Sequence, residues 1–278
     1  MNRIILFVLM SGIVCACEKN KPEQERIFEE YYTSSSWKTD NSINENKLTG
    51  GMFAFEKFAD REYWATLTSN ADMLAALMVP QERLSSMSTQ NLARTCTVYP
   101  FNGNYMAYVG LSTTSIDGIF HIMNNFNGYA QIQKRPSGPQ ELLKIYMGQK
   151  VKMDGKHEGW SADYTRANSF MDISAMELVL ATAVDCGKFS NDEIADMIHA
   201  MWEKNEDFVV SGLYSWNGAI CYCYVLGAAI AYHYAPDLSQ NERTQLKIFV
   251  LSGGDTARYS GDIGTITKLV ADKLNSIN

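Results

Sequence analysis

The stretch "SNDEIADMIHAMWEKN", Ser190 to Asn205, opens with a serine and carries a glutamate three residues later. That pairing is a capping box, in which side chain and backbone satisfy each other at a helix start. Behind it Ile194, Met197, Ile198, Met201 and Trp202 recur at i, i+3, i+4, i+7 and i+8, the spacing of one apolar face of an α-helix. Neighbouring segments repeat this grammar. Upstream, Ile173, Met176, Leu180 and Val184 form a second helical stripe, and downstream "AICYCYVLGAAIAYHY", Ala219 to Tyr234, is so uniformly apolar that it reads as a central core helix. Ser239 and Glu242 repeat the capping box before "RTQLKIFVL", and Asp262 begins a last helix through Ile263, Ile266, Val270 and Leu274.

The same punctuation extends toward the N-terminus. Ser69 and Asn70 can cap "ADMLAALMV", Pro80 suits the first turn of a short helix, and Ser88 opens a helix that buries Leu92, Cys96 and Tyr99 before Pro100 ends it. Ser115 is expected to cap a helix with the stripe Ile116, Ile119, Phe120 and Met123, which Gly128 would stop. Alternating strand-type runs are scarce. The expected architecture is therefore mainly α, a single multi-helix domain of helical hairpins over residues 51–278. The similar openings "MSTQNLARTC" and "FSNDEIADMI" would suit a solenoid-like stack, although a staple followed by a cap is what any well-formed helix start looks like.

The N-terminus reads differently. Arg3 is the one charge in residues 1–16, and an apolar run from Ile4 to Val14 follows it, the layout of a secretory signal peptide and too short to span a bilayer. "VCAC", Val14 to Cys17, resembles the lipobox of bacterial lipoproteins, so cleavage after Ala16 would leave Cys17 as the lipidated first residue. Residues 17–50, rich in Lys, Glu, Asn, Ser and Thr, read as a flexible tether. Glu18 after the cysteine resembles the pattern of lipoproteins sent to the bacterial outer membrane. The expected partner is then the membrane, reached through the N-terminal lipid, with a protein or glycan as a further partner. Loss of Arg3 with the leader takes the net charge from −7 to −8, a balance ill suited to nucleic acid.

Two stretches, "MSTQNLARTCTVYPF" (Met87 to Phe101) and "FNGYAQIQKRPSGPQELLKIY" (Phe126 to Tyr146), carry a resemblance to a group of secreted or lipidated proteins of Bacteroidota. In that group a serine-capped helix ends in a Tyr-Pro turn and an FNG stretch leads into a Glu-Leu-Leu helix. The resemblance implies a helical fold and an envelope address, and it carries over no catalytic or ligand residue.

Candidate chemistry is sparse. Cys96, Cys186, Cys221 and Cys223 could pair as disulfides in three ways in an exported chain. In "WNGAICYC", Cys221 could act as a thiolate nucleophile near a helix start, with Asn217 steadying an oxyanion, which would make the protein a cysteine-dependent hydrolase. His233, twelve residues further along the same helix and about 18 Å away at 1.5 Å per residue, could not serve it. Trp160 and Trp216 in "EGWSADY" and "GLYSWNG" are candidates for stacking on a sugar ring, the signature of a glycan-binding accessory protein. "HEGW" at His157 lacks the second histidine of a zinc protease helix, and His121 and His199 fall off the apolar stripes, so no metal or cofactor is expected.

Overall fold

A computed structural model describes residues 37–108, 114–151, 162–211, 222–255 and 259–277. Among these residues there are thirteen α-helices and no strand. The short ones come first: α1 (Glu56–Ala59), α2 (Arg61–Ala65), α3 (Asn70–Ala76), α4 (Gln81–Ser86) and α5 (Thr89–Thr97). A 3₁₀ segment, Asn102–Tyr108, leads to α6 (Ser115–Asn125), α7 (Asn127–Ile132) and α8 (Gly138–Gly148). The long helices α9 (Ala162–Asp185) and α10 (Asn191–Ser211) follow, then α11 (Tyr222–Tyr234), α12 (Gln240–Leu251) and α13 (Ile263–Asn275).

Most expected caps form. Ser69, Ser88 and Asp262 each accept a backbone N–H from the first turn behind them, and the boxes Ser190/Glu193 and Ser239/Glu242 close in both directions. One cap moves by a residue: Thr114, not Ser115, heads α6, because Thr114 and Asp117 satisfy each other, leaving the Ser115 hydroxyl to meet the Tyr222 hydroxyl at 3.1 Å. Gly128 does not stop α6 but lies inside α7. A Cβ there would come 2.3 Å from a ring carbon of Phe126, so glycine lets that ring fold over the helix start. Gly253 and Gly254, both with positive φ, follow Ser252 where α12 ends.

The core is organised around α9 and α11. Residues 173–184 of α9 are buried without interruption, so the stripe read from the sequence is one side of a helix enclosed on all sides. Along α11 nearly every residue from Tyr222 to Ala231 is buried, as expected of a central helix. The α9 helix packs against α11, α8, α6 and the 3₁₀ segment, and α11 against α10, α12 and α13. Contacts therefore reach across the chain instead of passing only between successive hairpins, which is the packing of a bundle and not of a solenoid.

The tether expected over 17–50 is corrected at its far end. Trp37 is buried and donates its indole N–H to Thr182 Oγ1 on α9 at 3.0 Å, 145 positions away. Asp40 N–H donates to the Lys134 carbonyl, and the Glu45 carboxylate accepts from the Thr89 hydroxyl, the Ser137 hydroxyl and the Ser137 N–H. Gly50 bridges to Met87. Residues 37–50 thus belong to the folded body, because one tryptophan and one carboxylate find partners that a local reading of a polar segment does not reveal. Residues 1–36, where the leader, the lipobox and the rest of the tether are expected, lie outside the described residues.

Candidate functional site

The polar group richest in chemistry lies inside the bundle. Glu177 projects from the enclosed part of α9 and is 2% exposed. Its Oε1 accepts a hydrogen bond from the Tyr146 hydroxyl of α8 at 3.0 Å. Lys204, 1% exposed on α10, holds its ammonium 4.6 Å from the centroid of the same Tyr146 ring, and Nζ has no hydrogen-bond partner among the described residues. One aromatic side chain thus stands between a buried acid and a buried base, the phenol end serving the acid and the ring face serving the base.

Each member belongs to its helix by pattern. Tyr146 continues the buried positions Leu142 and Leu143 of α8, and Lys204 sits three residues after Met201 and seven after Met197, on the buried stripe of α10. Around them, Cys223 of α11 lies beside Tyr146 and pairs its thiol with Asn205 Oδ1 at 3.3 Å, while Tyr105 of the 3₁₀ segment lies near Glu177 and donates to the Met171 carbonyl at 3.4 Å.

Burial governs the proton affinities. Loss of water around Glu177 pushes its carboxyl up to about 8, against the smaller opposing pull of the Tyr146 phenol and the Lys204 charge. The same loss of water pushes the Lys204 ammonium down, opposed by Glu203 and Glu177, and raises the Tyr146 phenol well above its ordinary range. The arrangement can therefore hold a proton on Glu177 at neutral pH and release it at mildly alkaline pH.

The residues singled out in the sequence are distributed otherwise. Cys17, Cys221, Trp160, Trp216 and His157 lie outside the described residues. Cys96 is fully buried on α5 with its thiol pushed well up by burial, and Cys186 is half-buried and likewise raised. Both are free thiols. Each of the three possible two-disulfide pairings uses Cys96, so none of them forms. His121 and His199 are exposed, His121 beside Asn125, its basicity lowered by partial burial. His233, set aside as a partner for Cys221, meets Asp185 at 2.8 Å. Among the described residues no group of His, Cys, Asp and Glu is placed to hold a metal ion, and no helix is long and apolar enough to cross a membrane.

Reading for helical stripes passed over the buried acid and base. The sign was present: Glu177 is the one charged residue between Ile173 and Val184, and Lys204 interrupts an apolar stripe at a position that should be buried. Comparison of the chain with protein-family models, with curated proteins and with solved structures finds no match.

Proposed function

We propose that the protein is a lipid-anchored component of the bacterial cell envelope, held at the outer membrane through Cys17, whose helical body serves as an interaction or accessory module for a protein or glycan partner. The observation that carries this reading is the leader, a single positive charge and an apolar run that ends in "VCAC" at Cys17. The resemblance of "MSTQNLARTCTVYPF" and the FNG stretch to secreted and lipidated proteins of Bacteroidota points the same way. A binding role, as opposed to a catalytic one, is supported by the chemistry of the described body: its raised carboxyl is sealed among helices, and the Cys96 and Cys186 thiols are held protonated by burial.

Mass spectrometry of the N-terminal peptide from the native host tests the anchor. An acylated Cys17 is expected, and a chain still bearing an unmodified Met1 would overturn the assignment. The competing reading, a hydrolase acting through Cys221, is tested by alkylating the folded protein. We expect no preferential labelling of Cys221 over Cys96 and Cys186, and fast labelling confined to Cys221 would favour the hydrolase. Trp160→Ala and Trp216→Ala variants with unchanged glycan retention would remove the glycan as partner and leave a protein.

A further inference from the structure

Glu177, Tyr146 and Lys204 belong to α9, α8 and α10, and they meet where α8 packs against both longer helices. An ionised carboxylate at 2% exposure needs a paired cation or several donors to offset lost hydration. Among the described residues Glu177 has one phenol donor, and the Lys204 ammonium lies over that phenol's ring without a hydrogen bond to the carboxyl. A protonated carboxyl needs no such compensation, since Oε1 can accept from Tyr146 while the site gains no negative charge.

We propose that this array is a proton-operated lock: with Glu177 protonated the α8, α9 and α10 packing is closed, and loss of that proton loosens it. The other titratable groups that face the array are Cys223 from α11 and Tyr105 from the 3₁₀ segment, with Asp172 along α9 itself. Glu203, Asp207 and Lys150 act on the Lys204 side. Burial holds the Tyr146 and Tyr105 phenols well above their ordinary range, so of the array's acids it is the Glu177 carboxyl whose charge the lock turns on.

The direction of the effect follows from the raised affinity. Glu177 binds its proton more tightly in the folded chain than in the unfolded one, so its contribution to stability is complete below the ordinary carboxyl range near 4.5 and is lost as pH rises through about 8. Lys204 is shifted oppositely, and its contribution is lost as pH falls. The lock does not depend on the lipid anchor or on any partner, and its failure would leave the proposed function untouched.

The test uses the purified full chain in four measurements. The Glu177 side-chain carboxyl, followed by carbon NMR, should titrate near pH 8, and titration below pH 6 would overturn the proposal. Urea midpoints of the unaltered protein and of Glu177→Gln, which keeps the shape of the protonated acid, should diverge from pH 5 to pH 8 in favour of the variant. A constant difference would overturn it. Amide exchange in α8 and α10 should accelerate between pH 6 and pH 9 by more than the roughly tenfold per unit of base catalysis in the unaltered protein, and by no more than that in Glu177→Gln. Equal acceleration in both would show that no packing is released. Finally, Lys204→Met should move the Glu177 titration upward, because the ammonium favours the carboxylate, and an unmoved titration would show that the base is no part of the lock.

Discussion

Two cations are buried to the same degree in this protein, and they are used in opposite ways. Arg135 and Lys204 are each 1% exposed. Arg135, in the turn between α7 and α8, sends Nη2 to the carbonyls of Leu84 at 3.0 Å and Met87 at 3.4 Å, and Glu45 lies close enough to support its charge. It pins the end of α4, beside the Gly50 bridge to Met87, onto the turn before α8. Among the described residues Lys204 has no hydrogen-bond partner, and its ammonium rests over the ring of Tyr146. The guanidinium spreads its charge and directs Nη2 at carbonyls set by the backbone, although Nε and Nη1 have no partner among the described residues, whereas the ammonium is a point charge with no acceptor among them. A buried charge anchored on even two backbone carbonyls ties separate segments together, while one with no such acceptor leaves the local charge state open to change.

Substitutions can break this contrast, and the largest effect is expected at the arginine. Arg135→Met should lower stability by about 3 kcal/mol in urea denaturation, since it strands the Leu84 and Met87 carbonyls and removes the positive charge that faces the Glu45 carboxylate. Tyr146→Phe should cost about 1–2 kcal/mol by removing the hydrogen bond from the phenol to Glu177, and thermal melting at pH 6 is a sufficient check. Lys204→Met should change stability by about 1 kcal/mol or less at pH 7, toward greater stability, because a flexible apolar chain replaces an unsatisfied ammonium and forfeits only its contact with the ring. If Lys204→Met proved as damaging as Arg135→Met, the two sites would be equivalent and the contrast would fail.

Legibility followed distance along the chain. The boxes at Ser190/Glu193 and Ser239/Glu242 and the caps at Ser69, Ser88 and Asp262 involve partners two or three positions apart, so the residues that form them sit together in the text. Thr114 escaped by one position because Ser115 is as good a capping residue in isolation, and the choice rests on Asp117 and on Tyr222, 107 positions further on. Trp37 looked like part of a tether because its partner, Thr182, belongs to a helix more than a hundred residues downstream. The candidate site was hidden for the same reason. Glu177 and Lys204 are visible as isolated charges in apolar runs, but nothing local says that both close on Tyr146.

By itself the sequence determined that the body is helical, where most of its helices begin, and which faces of them are apolar, because capping and amphipathic spacing are short-range and act within one or two turns. Only the tertiary structure decided that α9 and α11 are enclosed, that residues 37–50 join the body, and that an acid and a base share one tyrosine. Those features depend on which helices become neighbours, and the burial that raises Glu177 and lowers Lys204 exists only once several separate segments have together excluded water from them.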